Sequence, residues 1–270
     1  MRIPAACLAL LVLATGCDRE PPTKEEIEDA RARVDLAVRA ADQARMALEL
    51  LGLLPVYTCG EERRTFVGQA AEGAKKKLAC VIATTEALGD TADAVRLTFP
   101  ENSCTVRGHN VSGNAAFVYN GGKDRMDLFA DLGEVKVDGN PLQAKVGYGT
   151  CSDEKRFYAE SLGALPGRAG NTYYVNARVG LRDGVVPIFG HTTLVFDGPG
   201  EVSGPLGSDR VTFTSLKYEV GEYLPQEGEA LVETAKGRRV KVTFSPVLWR
   251  VGKVEVEIDD KAPVTVPIVR

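Results

Sequence analysis

The chain has 270 residues, 44% of them hydrophobic and 26% charged, and carries a formal net charge of −4 at neutral pH. Mild acidity with that share of charge describes a soluble, solvated surface and does not suggest nucleic-acid binding, so no nucleic-acid partner is expected. The basic clusters Lys75-Lys76-Lys77 and Arg238-Arg239 are not interleaved with aromatics, so both read as solvated faces.

The chain opens with one basic residue, Arg2, and an apolar run from Ile3 to Ala14 that is too short to span a bilayer. Small residues follow in Leu13-Ala14-Thr15-Gly16-Cys17. These are the parts of a secretory signal, residues 1–16. The site resembles the lipobox of bacterial lipoproteins, although Ala14 stands where that family most often has leucine. The resemblance implies a diacylglyceryl group on the Cys17 sulfur, cleavage before it and acylation of the new amino terminus. Two or three acyl chains, at about 0.8 kcal/mol per buried methylene, anchor a protein stably. Asp18 resembles the inner-membrane retention signal of enterobacterial lipoproteins, and inner and outer membranes both stand as destinations. No later apolar run approaches a membrane span, so the lipid is the expected membrane attachment.

Residues 17–22 read as a lipidated tether that ends in Pro21 and Pro22. Thr23-Lys24-Glu25-Glu26 fits a capping box and opens a helical segment, residues 23–77. Ile27, Val34, Ala41 and Leu48 recur every seven residues, with Ala30, Ala37, Ala44 and Leu51 three behind each. This seam predicts a long amphipathic helix, stopped by Gly52 and Pro55, of coiled-coil type or docked within its own chain. The docked or stalk arrangement is the preferred one, since the run is barely long enough for a coiled coil. A second, shorter helix is expected over Glu61 to Lys77, with Phe66, Val67, Ala70, Ala71 and Ala74 on its apolar side. The two helices are expected to be able to form a hairpin across residues 53–60.

Residues 78–270 alternate with a period of two and predict an antiparallel β domain. Met126, Leu128, Ala130 and Leu132 share one face, as do Val240, Val242 and Phe244, and Val254, Val256 and Ile258. Asp138-Gly139, Asp183-Gly184 and Asp197-Gly198 are read as turns. Segment Leu162 to Asn171 is either a sub-boundary or a long hairpin loop. The expected fold is mainly β with N-terminal helices: an antiparallel meander, as a sandwich or incomplete barrel, behind one long and one short helix.

Of six cysteines, Cys7 leaves with the signal and Cys17 is acylated, so Cys59, Cys80, Cys104 and Cys151 remain for two disulfides. Strands over Leu78–Thr85 and Ala94–Phe99, folded about Gly89-Asp90-Thr91, bring Cys80 beside the segment leading to Cys104. Cys59 is then left for Cys151. With no close cysteine pair and two histidines, a metal site is not expected.

His109 and His191 sit near turn residues and read as surface histidines, with a catalytic role as the sharper alternative. Ser152-Asp153-Glu154-Lys155 spells a nucleophile motif without its companion elements, and Trp249 reads as a core or rim aromatic rather than a sugar platform. No cofactor motif is present. Cys80, Val95-Arg96-Leu97-Thr98-Phe99, Cys104, Val111-Ser112-Gly113 and Val137-Asp138-Gly139 resemble, over roughly residues 78–148, a broad group of poorly characterised bacterial surface lipoproteins that shares no activity. The expectation is a membrane-anchored envelope lipoprotein, a non-enzymatic binding or structural module toward a protein, glycan or lipid. A lipid or lipoprotein carrier with an open β-barrel cavity is the alternative, resembling such carriers in the order helix then sheet. A hydrolase on a β scaffold comes behind it.

Overall fold

The computed structural model describes residues 19–106, 108–151, 156–166, 172–181, 193–205, 207–219, 224–245 and 251–269. Helix α1 (Lys24–Leu51) begins at the capping box: the Thr23 side chain accepts from the Glu26 amide while Glu26 accepts from the Thr23 amide at 2.8 Å. Helix α2 (Arg63–Lys77) is capped by Glu62, whose carboxylate accepts from the Thr65 amide at 2.7 Å, and ends on three lysines suited to the helix dipole.

The strands are β1 (Ile82–Ala87), β2 (Ala92–Val106), β3 (His109–Gly122), β4 (Arg125–Asp131), β5 (Val135–Val137), β6 (Asn140–Pro141), β7 (Ala144–Thr150) and β8 (Arg156–Pro166). They continue as β9 (Thr172–Leu181), β10 (Thr193–Gly204), β11 (Gly207–Glu219), β12 (Glu227–Thr234), β13 (Arg239–Phe244), β14 (Val251–Ile258) and β15 (Val264–Val269). Sequential neighbours pair antiparallel from β1 to β4 and on from β7 to β15, while β5 and β6 form a small hairpin beside β3. The sheet is a meander and is not closed into a barrel. Leu162 to Pro166 continues β8 and pairs with β9 from Asn176 to Thr172, while residues 167–171 lie outside the described residues.

Alternation sets the inner face. Met126, Leu128, Ala130 and Leu132 are buried while Phe129 between them is half exposed. On the last strands Val240, Val242 and Phe244 face Ile258, Val256 and Val254 directly, so cross-strand apolar pairs line one side. The first strand starts later than the apolar pattern suggested. Leu78 closes α2 by donating to the Ala74 carbonyl, which commits the backbone to a turn before Ile82.

Asp197-Gly198 corrects a sequence reading. It lies inside β10 at a register shift between Phe196 and Gly198, so it is a β-bulge and not a turn. The Asp197 carboxylate accepts from the Ser215 amide of β11, satisfying a donor that the bulge takes out of the ladder. Asp138-Gly139 does form the two-residue turn between β5 and β6, with positive φ at both positions.

Helix α1 touches β7, β8, β9, β10, β12 and β14, and α2 touches β1, β2 and β3. The helices therefore occupy different parts of the sheet and do not pack as a hairpin. Arg45, Met46, Ala47 and Leu48 are consecutive, and none is more than 3% exposed. This turn of α1 therefore has no side facing solvent. Its seam meets strands, and alanines such as Ala37, Ala40 and Ala41 let the sheet approach closely. Near α2 the rings of Tyr57, Phe66 and Tyr119 stack edge to face at 5.0 and 5.4 Å.

The disulfides join Cys59 to Cys151 and Cys80 to Cys104. The β1–β2 register sets Ile82 opposite Thr98, which if continued would set Cys80 opposite Pro100, four residues short of Cys104. A register shift between Phe99 and Cys104 takes up the difference.

Candidate functional site

Three polar clusters lie along α1, and the first is at its start. Arg19 Nη1 reaches Glu257 at 2.7 Å, and the Glu20 carbonyl accepts from the Ala262 amide at 3.0 Å. Pro22 is buried. Glu26, half-buried, receives Lys261 at 2.7 Å and Arg238 at 3.3 Å, and Arg238 also lies 3.6 Å from Asp259. The Lys261 hydrogen bond, with the Thr23 amide, holds the Glu26 carboxyl down at about 2, against an ordinary value of 4.5. Residues 19–22, expected to be a tether, are thus fastened to β14 and the β14–β15 turn, and Glu26 just beyond them to the turns β12–β13 and β14–β15. Arg238 is part of this clamp rather than a plain solvated cation.

Two turns further in, Arg33 is held by Asp29 at 3.0 Å and by both carboxylate oxygens of Asp209 on β11. Burial opposes both charges. At Arg33 it is outweighed by two carboxylates, and the guanidinium stays above its ordinary value. At Asp209, with one cation beside it and Asp29 repelling it, burial wins and pushes the carboxyl up.

The third cluster surrounds Arg45, which is 2% exposed. Its Nη2 lies 3.0 Å from His109 Nε2, its guanidinium sits 5.0 Å from the Tyr218 ring centre, and Glu49 stands at 3.9 Å. Tyr218 donates to Asp42 at 2.9 Å. His109 Nδ1 faces Asp138 at 2.8 Å, and the other oxygen of that carboxylate accepts from the Asn110 amide. A guanidinium only donates, so Nε2 is the acceptor and Nδ1 carries the hydrogen given to Asp138.

His109 therefore corrects the surface reading: it is the first residue of β3 and is 6% exposed. Asp138 forms its turn and also orients this ring. Cys17, Ser152 to Lys155, Asp183-Gly184, His191 and Trp249 lie outside the described residues. Among the described residues no group of His, Cys, Asp and Glu is arranged to hold a metal ion. A shallow groove of about 350 Å³ lies on the outer face of β11 to β14, between Thr212, Thr214, Glu229, Lys241 and Glu257. Lys241 and Glu229 pair across it at 2.8 Å.

Sequence reasoning missed Arg33, Arg45 and Asp209, and read Arg238 as part of a solvated face. A signal for Arg45 was present: from Leu36 to Leu54 the charged residues are Arg39, Asp42, Arg45 and Glu49, too few for a helix with a wet face. None of the described helices is long and apolar enough to cross a membrane. Comparison with protein families, characterised proteins and solved structures finds no match for this chain.

Proposed function

We propose that this chain is an envelope lipoprotein, lipid-anchored through Cys17 and acting as a non-enzymatic binding or structural module. The observation that carries the proposal is the order Arg2, apolar run, Leu13-Ala14-Thr15-Gly16-Cys17, two positions before Arg19, whose guanidinium is held by Glu257. Two disulfides are compatible with an oxidising, extracytoplasmic compartment. The non-enzymatic reading is supported by His109, whose two ring nitrogens are engaged by Arg45 and Asp138. Carriage of a lipid on the face that α1 covers would require α1 to leave, exposing its fully buried turn from Arg45 to Leu48.

Fractionation tests the anchor. The natural protein is expected in the membrane pellet after washes with high salt and alkali, and Cys17→Ser in the soluble fraction. Release of the natural protein by salt, or equal retention of the variant, contradicts it. Incubation of the purified chain with native envelope extract tests the module: a stoichiometric partner is expected, and substrate turnover without one contradicts it.

A further inference from the structure

Cys17 precedes Arg19 by two residues, and an extended chain covers at most about 3.6 Å per residue, so the cysteine lies within about 7 Å of Arg19. From Arg19 onward the chain is fixed. Arg19 meets Glu257, the Glu20 carbonyl meets the Ala262 amide, Pro22 is buried and Thr23 caps α1. The exposed Arg19 pair contributes little alone. Stiffness comes from the backbone bond, the buried proline and the capping box beside it.

We infer that the chain rests on the bilayer through its β12–β13 and β14–β15 turns, with residues 19–22 as a rigid mount; this rests on the lipidation proposed above. The occupant of that surface is the lipid headgroup layer, because an acylated cysteine sits at headgroup depth and cannot move far from Arg19. The surface offers exposed Lys236, Gly237 and Arg239 against exposed Asp259 and Asp260. Its charges balance, so the anchor and not anionic lipid sets the contact. Helix α1 then enters the sheet from the membrane side, and the far end of β12 points away from it.

The test uses the lipidated full chain in neutral phosphatidylcholine vesicles that contain a nickel-chelating headgroup lipid. Nitroxide labels go on Lys236→Cys and, separately, Glu227→Cys, which is exposed at the start of β12 and about 23 Å along the strand from Thr234. The expected result is severalfold stronger relaxation by nickel at 236 than at 227, unchanged when anionic lipid is added. Inserting a flexible Gly-Ser segment of about twelve residues between Asp18 and Arg19 is expected to erase the difference while the protein still floats with the vesicles. Equal relaxation at both positions of the parent, or more at 227, overturns the mount and leaves lipidation standing. Protein that does not float with the vesicles overturns lipidation and the mount with it.

Discussion

Arg45 Nη2 stands 3.0 Å from His109 Nε2 in the interior, joining the last third of α1 to the first residue of β3. The guanidinium is desolvated, with one imidazole, one tyrosine face and a carboxylate at 3.9 Å as compensation, and its Nε is buried without a partner. Arg45→Ala leaves a cavity and an unsatisfied histidine nitrogen, and is expected to destabilise by about 2–4 kcal/mol. Arg45→Met leaves the same histidine nitrogen unsatisfied but keeps the stem and removes the cost of burying the charge, so it is expected to lose less, about 1–2 kcal/mol. Urea denaturation of both variants checks the order; a methionine variant as unstable as the alanine one would mean that the hydrogen bond dominates.

Gly228 faces the irregular stretch of β11. Its φ is +107°, and a Cβ there would stand 2.3 Å from the Ser215 carbonyl oxygen and 2.9 Å from Leu216 Cα. Those are backbone atoms, so neither can move without breaking the ladder. Gly228→Ala is expected to lose more than about 2 kcal/mol, whereas Gly237→Ala, in an open turn at φ +81°, loses only the conformational part, about 1 kcal/mol. Thermal unfolding of the two proteins side by side measures the difference.

The two disulfides close loops of different length. Cys59 and Cys151 are 92 residues apart and Cys80 and Cys104 are 24 apart. On the chain-entropy relation, replacing the first pair by alanine is expected to remove about 4–5 kcal/mol and the second about 3–4 kcal/mol. Denaturation midpoints of the two double variants under oxidising conditions test the ranking.

The clamp on Glu26 predicts an acid dependence. Its folded pKa, about 2, lies below the ordinary 4.5, so its stabilisation is complete above pH 4.5 and is lost as pH falls toward 2. The Tm gap between the natural protein and Glu26→Gln is expected to be constant above that window and to close inside it. A gap that stays open at pH 2 would show that the effect is not titration of this carboxylate.

The strands and both helices were legible because alternation and heptad spacing report burial locally: Met126, Leu128 and Ala130 could be assigned to one face from their spacing alone. What surrounds α1 was not. Arg33 and Asp209 are 176 residues apart, and Arg45 and His109 are 64 apart, so each looks like a surface charge until the meander brings its partner across. The histidine was misplaced because Gly108 and Asn110 beside it suggest a turn, while the strand that buries it is set by pairing with Val106 on β2. Asp197-Gly198 misled for a related reason, since a bulge and a turn both need the conformations that this dipeptide favours.

Mass spectrometry of the amino-terminal peptide from the natural envelope protein bears most directly on the lipid anchor. The expected peptide begins at Cys17 and carries a diacylglyceryl thioether with an acylated amine. A peptide that retains residues 1–16, or one with a free thiol at Cys17, would contradict it.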